Sequence, residues 1–369
     1  MSDPSSYKLQ LAGLPTLLAP MSTLGFAVMA FLAILAVGLS FSSSNYIKKM
    51  DRGFFWAVGL GLVGFALLRP IGLARDDLAY VEIVKSLCVQ GNCAEGAPIV
   101  RDYVWYGFIK LGALYWPENF RVALAVSGIG VLIKLCVIDH LCSHRLIALL
   151  LFIPLCYVQY DLTQLRAGFA ISWMMIGVYA LVRSRVWVGL GVLGTNFMVH
   201  SQAIFSPGLL CYRIFGLSRW ILPVLTAFAL FLIYTGFYPS VDTLSWLGGL
   251  SQTAPYYMGS QSGAYVGVRL FPWAYFLILG YGLWLCDAER MTQRKLTEIV
   301  SAGIFIGMFV AWVFAINPTI QTRIFEFYAV LLVLLAGNVG DSRGKMAVTC
   351  TLALVLYMRL ELLHDWILG

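Results

Sequence analysis

The sequence is 369 residues long, 60% hydrophobic and only 12% charged, with a formal net charge of +7. This composition excludes an ordinary soluble globular protein, and the long apolar runs are too numerous for a removed signal peptide to explain. We therefore predict a single integral membrane domain over residues 1–369, with no nucleic-acid partner.

Hydropathy and the positions of charged breaks predict about twelve membrane crossings in an all-α polytopic bundle. The predicted helices span residues 20–43, 54–73, 121–141, 146–161, 167–182, 186–200, 202–215, 220–238, 269–286, 299–317, 324–340 and 346–363. Two longer polar segments, residues 74–120 and 239–268, interrupt these helices. The alternation of crossings puts both segments on the same side of the membrane.

The first polar segment contains the aromatic stretch DYVWYGFIKLGALYW, which we interpret as an interfacial or re-entrant helix. If this stretch crossed the membrane fully, the orientation of every earlier helix would be reversed. In the same segment Cys88 and Cys93 bracket a Gly-Asn turn. They could form a disulfide in an oxidising compartment or remain free thiols.

Orientation follows from the short loops, because Lys and Arg concentrate on the cytoplasmic side of a membrane protein. The segments NYIKKMDRG, VRSRVW, DAERMTQRKLTE and GDSRGK all fall on one face of the predicted topology. We predict that this face is cytoplasmic and that the two long polar segments are outer loops. In a bacterium this means a multi-pass protein of the inner membrane with its outer loops in the periplasm.

The first outer loop opens with the acidic and aromatic stretch RPIGLARDDLAYVEIVK, and RDYVWYGFIK repeats the theme. Carboxylates beside aromatic rings suit a sugar, because its hydroxyls need acceptors and its apolar faces stack on rings. The alternative is an ordinary solvated loop with an aromatic belt at the membrane interface. The candidate residues in these stretches are Arg75, Asp76, Asp77, Tyr80, Arg101, Asp102 and Tyr106.

The stretch QYDLTQLRAG, residues 159–168, places Gln164 and Arg166 at the predicted outer edge of a helix. Basic residues are least expected on that side, yet the predicted outer set is rich in arginine. Its members are Arg69, Arg75, Arg101, Arg121, Arg166, Arg269, Arg323 and Arg359. A single arginine is expected to reach headgroups or to pair with a carboxylate, whereas three or more that converge would bind a phosphate-bearing ligand arriving from the membrane.

Two unusually short apolar segments, 186–200 and 202–215, meet at LGTNFMVHSQAIFSPGLL. Broken membrane helices of this kind mark sites, since irregular backbone at depth is tolerated where it lines a cavity. Asn196 and Gln202 would lie near that cavity, and His200 is the one histidine predicted beside the outer arginines. His200 is either a general base or a structural histidine that ties two helices together.

The stretch INPTIQTRIFEFY predicts a turn or break at Asn317-Pro318 and places Arg323 and Tyr328 at the outer start of another helix. The i, i+3 spacing of Arg323 and Glu326 favours a local ion pair between them.

With these motifs the chain resembles the EpsG-like and O-antigen polymerase (Wzy) group of bacterial polysaccharide proteins. The resemblance rests on RDDLAY, RDYVWYGFIKL, QLRAGFAIS, NFMVHSQA and TRIFEFY, and it covers roughly residues 70–340. The second block departs from the group, which usually carries a Glu-Pro where this chain has Arg101-Asp102. That departure leaves the role of this position open.

The resemblance implies a membrane-embedded glycosyltransferase similar to the GT-C-like enzymes, inverting and independent of metal. It would transfer a growing glycan from undecaprenyl pyrophosphate to the non-reducing end of a lipid-linked repeat unit at the outer face of the inner membrane. Its partners would be that lipid-linked oligosaccharide, membrane lipids and a protein that sets chain length. The alternatives are a lipid-linked oligosaccharide flippase or transporter, an O-antigen ligase, and an acyltransferase acting on surface glycans.

The predicted site residues fall into two groups. The catalytic candidates are Arg166 and Arg323, which with Arg75 or Arg269 would hold the pyrophosphate, and His200 or Asp77, which would take the acceptor proton. The substrate-binding candidates are Arg75, Asp76, Tyr80, Arg101, Asp102, Tyr106, Gln164, Asn196, Gln202, Arg269 and Tyr328. No Cys/His spacing of a zinc site and no phosphate-binding loop is present, so no metal and no cofactor are expected.

Overall fold

The computed structural model describes residues 27–36, 38, 45–70, 77–87, 102–115, 121–210, 221–237, 294–314, 318–338 and 349–357, and the regular structure in this part is entirely helical. The helices are α1 (Ala27–Ala36), α2 (Asn45–Leu68), α3 (Asp77–Leu87), α4 (Tyr103–Tyr115), α5 (Arg121–Leu141), α6 (Arg145–Phe152), α7 (Leu165–Val182), α8 (Val186–Val199), α9 (Ile221–Tyr234), α10 (Arg294–Val313), α11 (Pro318–Ala329), α12 (Leu332–Ala336) and α13 (349–357). A π-helix (Ile153–Asp161) follows α6, and a 3₁₀ helix (Ser201–Leu210) follows α8.

Four helices in the described part are long and apolar enough to cross a membrane: Lys49–Leu68 within α2, and α5, α7 and α10. They confirm a helical membrane protein. Only 17% of the apolar window in α2 is buried, against 72% in α5, so α2 lies at the edge of the bundle. The count of about twelve crossings and the likeness to GT-C-like enzymes stay predictions.

Three predicted boundaries were wrong in an informative way. Helix α2 begins at Asn45 and not at 54, so part of the basic segment NYIKKMDRG is itself helical. The predicted helix 146–161 changes from α to π at Ile153, where Pro154 removes a backbone donor. The predicted helix 324–340 begins earlier, because Pro318 is well suited to the first position of α11, and it breaks at residues 330–331.

The centre of the bundle is formed by α5, the π-helix and α7. Helix α7 packs against α5 on one side and α8 on the other. A Cβ at Gly130 of α5 would lie 2.9 Å from Ser172 Oγ of α7, and Ser172 Oγ donates to Gly130 O at 2.9 Å. The two backbones therefore cross closely, as small residues allow in membrane bundles.

The alternating helices give the bundle two polar ends. At one end, hereafter the site end, Arg69 after α2, Asp77 of α3 and Arg166 of α7 make side-chain ion pairs. At the opposite end Asp139 of α5 binds both Arg52 and Arg145, and Lys295 donates to Ser184 Oγ at 2.7 Å. The described members of the basic segments thus share one end, as the predicted topology requires.

Several predicted features lie outside the described residues. These are the second outer loop 239–268, the helix 269–286, and the Cys88 and Cys93 pair. A helix is present where the interfacial or re-entrant helix was predicted, namely α4 with 13 residues. That it lies at the membrane interface, in an outer loop, stays a prediction.

Candidate functional site

Three chain segments that are distant in sequence bring charged side chains together at the site end. Asp102 directly precedes α4, Arg166 lies in the first turn of α7, and His200 directly follows α8. The packing of α4 on α8 and of α8 on α7 brings these helix ends to one place. Positions at helix ends can hold polar groups beside the membrane without burying them in lipid.

Arg166 is held by a carboxylate and two phenols. Its Nη1 donates to Asp102 Oδ2 at 2.8 Å and to Tyr106 Oη at 3.1 Å. The guanidinium carbon also lies 5.9 Å and 5.7 Å from the ring centroids of Tyr80 and Tyr106, which is within cation–π range. The rings of Tyr80 and Tyr106 flank Trp105, which is fully buried.

Asp102 is the centre of this cluster. Its Oδ1 accepts the backbone N–H of Ser201 at 3.1 Å, and its Oδ2 lies 3.5 Å from His200 Nδ1 as well as against Arg166. The backbone of Asp102 has φ +53°, a left-handed conformation that is uncommon outside glycine but is tolerated best by Asp and Asn. This strained position aims the carboxylate at both basic groups.

The electrostatic balance at Asp102 keeps it ionised. Burial by itself favours the neutral acid, but the contact with His200, its charge when the imidazole is protonated, the charge of Arg166 and the Ser201 N–H together lower the pKa of Asp102 below its ordinary value. The carboxylate is 2% exposed, whereas the side chains of Arg166 and His200 are 22% and 14% exposed. A ligand could therefore reach the two basic groups but not the acid between them.

Asp77 is engaged elsewhere. Arg69 Nη1 and Nη2 donate to Asp77 Oδ2 and Oδ1 at 2.5 Å and 2.7 Å, and both side chains are fully buried. Arg69 Nη2 also donates to Leu162 O at 2.8 Å. This bidentate pair ties α3 to the loop after the π-helix, so Asp77 is placed as a structural partner of Arg69.

The predicted local pair of Arg323 and Glu326 was wrong within the described residues. Glu326 accepts a hydrogen bond from Gln159 Nε2 of the π-helix instead. Arg323 is partly buried, and its backbone oxygen accepts from Tyr160 Oη at 3.5 Å. The π-helix and α11 are therefore joined by polar contacts just before the turn that leads to Arg166.

The remaining substrate-binding candidates have mixed positions. Asn196 is fully buried and donates to Ser206 Oγ at 3.2 Å, and Tyr328 is fully buried in α11. Gln202 and Gln164 are partly buried, and Gln164 O accepts the N–H of Gly168 at 2.9 Å. Arg75, Asp76, Arg101 and Arg269 lie outside the described residues.

A buried ion pair beneath the site was not predicted. Lys134 of α5 binds Asp161 at the end of the π-helix, and neither side chain is more than 1% exposed. Ser127 Oγ donates to Asp161 O at 2.7 Å. The signal was present, since a lysine inside an apolar helix and an aspartate five residues before Arg166 both need partners.

In the part of the chain that the structure describes, no three His, Cys, Asp or Glu side chains lie close enough to hold a metal ion. The polar groups that converge at the site are instead a guanidinium, an imidazole and two phenols around one carboxylate. Such a set can bind an anion and move a proton.

Comparison with known proteins gives one informative result. A model described as the EpsG family matches residues 52–365, which include every described residue of the candidate site. No curated protein and no solved structure matches the chain.

Proposed function

This chain belongs to the EpsG family, and on that premise we propose that it is a polysaccharide polymerase of the bacterial inner membrane. Family membership supports a polymerase type of role in general. The finer proposal is transfer of a growing glycan from undecaprenyl pyrophosphate to the non-reducing end of a lipid-linked repeat unit, at the periplasmic face. The observation that carries it is the convergence of Arg166, Asp102 and His200 at one end of the bundle.

The reaction is an inverting displacement. An acceptor hydroxyl oxygen attacks the anomeric carbon of the donor glycan, and the bond between that carbon and the pyrophosphate oxygen breaks. The electron pair leaves with the lipid pyrophosphate, and the hydroxyl proton passes to a base. The protein must therefore stabilise developing negative charge on one side and accept a proton on the other.

Arg166 is suited to the leaving group. Its Nη1 donates to Asp102 and Tyr106, and phosphate oxygens could compete for the donors of this planar fork. The flanking rings of Tyr80 and Tyr106 fix the plane of the guanidinium. Arg323, with Arg75 or Arg269, would complete the pyrophosphate site.

His200 is suited to the base. Its Nδ1 faces Asp102, which leaves Nε2 as the ring nitrogen for the acceptor hydroxyl. Asp77 is the weaker candidate, because both of its carboxylate oxygens accept from Arg69 and its side chain is fully buried.

A transporter of lipid-linked oligosaccharide is a second candidate, favoured by the Lys134 and Asp161 pair, since ionisable groups inside a membrane protein often line a transport path. An O-antigen ligase would use the same donor and differ in its acceptor. Purified protein separates the three, because a transporter forms no glycosidic bond and a ligase needs a lipid A core.

The experiment incubates the purified protein in detergent with the lipid-linked repeat unit and separates the products on a gel. We expect a ladder from the unaltered protein and none from Arg166→Ala. The matched control is Arg183→Ala at the other end of α7, which removes a guanidinium that also lies over a tyrosine ring, 5.5 Å from the centroid of Tyr179. A normal ladder from Arg166→Ala, or no ladder from any form while the substrate remains intact, would contradict the proposal.

A further inference from the structure

One carboxylate oxygen at the site faces two basic groups. Asp102 Oδ2 lies 2.8 Å from Arg166 Nη1 but 3.5 Å from His200 Nδ1. The first distance is that of a strong charge-assisted hydrogen bond, whereas the second exceeds the usual N–H···O range. Accordingly, His200 Nδ1 is buried without a hydrogen-bond partner.

The carboxylate cannot turn freely to improve the longer contact. Its other oxygen accepts the N–H of Ser201, the residue that follows His200, at 3.1 Å. Its backbone is held in a left-handed conformation, and its side chain is 2% exposed. Asp102 therefore stays beside His200. The interaction that can change is the hydrogen bond from Arg166 to Asp102 Oδ2.

A donor pyrophosphate would weaken the hydrogen bond between Arg166 and Asp102. Arg166 is the more exposed of the two basic groups, and phosphate oxygens compete with a single carboxylate oxygen for its planar fork of donors. When the guanidinium moves toward the phosphates, Oδ2 is left with one neighbour, the N–H of His200. A hydrogen bond to Asp102 then fixes the proton on Nδ1 and leaves Nε2 free to accept one.

Resting on the proposed function, we propose that Asp102 is a positioning residue whose Oδ2 changes partner. It binds Arg166 in the free protein and His200 when a donor is bound. The base is then fully oriented only while a donor is bound. The coupling makes proton removal from the acceptor hydroxyl depend on the presence of the leaving group. Among the described residues, the carboxylate of Asp102 faces His200, and Arg166, which binds the same oxygen, is in turn flanked by Tyr80 and Tyr106.

The test separates donor binding from turnover in Asp102→Asn, which keeps the shape of the side chain and removes its charge. We expect kcat to fall by about 100-fold, the scale of lost general-base assistance, while KM for the donor does not rise because Arg166 has lost its competing partner. We expect Asp102→Glu, which keeps the negative charge, to retain part of the kcat that Asp102→Asn loses. If Asp102 merely held Arg166 in place, KM for the donor would rise and kcat would be kept, which overturns the proposal.

The control is Asp139→Asn, which neutralises a carboxylate of equal burial at the opposite end, where Arg52 and Arg145 bind it. This variant should keep both kcat and KM. It shows whether loss of a buried carboxylate by itself lowers turnover.

A second measurement keeps Asp102 unaltered, so it does not depend on whether an Asp102 variant folds. Nuclear magnetic resonance spectra of protein with ¹⁵N-labelled histidine rings are recorded with and without undecaprenyl pyrophosphate, and the His200 signal is identified by its loss in His200→Gln. The probe should shift the Nδ1–H signal of His200 in the direction of a stronger hydrogen bond to a carboxylate, and an unmoved signal overturns the proposal. Loss of the ladder in Arg166→Ala together with an unmoved signal would reject the sharing of Asp102 and keep the polymerase function.

Discussion

At the scale of single residues, the site depends on how the guanidinium of Arg166 is oriented. The carboxylate of Asp102 neutralises its charge, and the rings of Tyr80 and Tyr106 make cation–π contacts with it. The phenol of Tyr106 also accepts a hydrogen bond from it. The tyrosine rings restrict the tilt of the guanidinium, and the phenol of Tyr106 fixes its rotation. A flexible lysine ammonium could not be oriented in this way.

Tyr106→Phe tests the orienting role of that phenol. The ring and its cation–π contact remain, but the 3.1 Å hydrogen bond to Arg166 is lost. Since a hydrogen bond to a charged group contributes roughly 1.5–3 kcal/mol, we expect kcat/KM for the donor to fall about 10- to 100-fold. Initial rates of polymer formation measure the effect. Tyr103→Phe, on an exposed position of the same helix, is the control and should match the unaltered protein.

At this scale the sequence predicted most of the residues that the structure brings together in the candidate site, but it did not predict which of them pair. Arg166, Asp102, Tyr106 and His200 were all predicted as site residues, because polar groups at helix ends of an apolar chain are few. Which carboxylate binds which arginine depends on side-chain reach in three dimensions. For that reason Asp77 was predicted as a base although Arg69, eight residues before it, takes both of its oxygens.

At the scale of elements, the π-helix determines where α7 begins. The N–H of Leu162 bonds to Tyr157 O, five residues back, so the end of this segment is wider than an α-helix. Helix α7 then starts directly beside it. A Cβ at Gly168 would lie 2.8 Å from Asp161 Oδ1 and 2.9 Å from Tyr160 O, so this contact accepts only glycine without a shift.

Gly168→Ala should therefore separate the start of α7 from the π-helix. We expect a loss of stability of about 1–3 kcal/mol, the usual cost of overpacking, together with lower polymerase activity because Arg166 lies two residues away. Thermal unfolding followed by size-exclusion chromatography measures the first effect. Gly194→Ala in α8, where an added Cβ would meet nothing within 4 Å, should leave stability unchanged or slightly raise it. Equal stability of the two variants would show that the contact does not position α7.

The irregular elements were only partly predictable. The break between the short segments around His200 follows from sequence, and the 3₁₀ helix Ser201–Leu210 confirms it. The π-helix could not be predicted from sequence, because its nine residues are apolar enough to continue the preceding α-helix. Pro154 marks a disturbance of the helix but does not specify a π-helix. The cost of the wider turn is offset by tertiary contacts such as those of Lys134 and Gln159.

At the scale of the whole molecule, the two polar ends differ in chemistry. The site end combines buried ion pairs with tyrosines, whereas the opposite end has arginines and lysines with exposed side chains, such as Arg52. The hydropathy and charge of the sequence predicted that the two ends would differ, because both quantities are summed over long segments and do not depend on individual contacts. The side of the membrane that each end faces rests on the positive-inside rule.

Cysteine labelling in a background without native cysteines tests the orientation. Glu82 in α3 and Ser184 after α7 are both exposed and lie toward opposite ends. We expect Glu82→Cys to react with a membrane-impermeant maleimide in intact spheroplasts, and Ser184→Cys to react only after permeabilisation. The reverse pattern would place the site in the cytoplasm and contradict a periplasmic polymerase.

The Lys134 and Asp161 pair also bears on how the chain enters the membrane. A lone charge near the middle of a helix costs roughly 2.5–3.5 kcal/mol when that helix is handed from the translocon to lipid. The two charges belong to consecutive membrane segments, α5 and the α6/π-helix, only 27 residues apart. We expect these segments to leave the translocon together as a helical hairpin whose charges are already neutralised, so that the support beneath the site forms during synthesis.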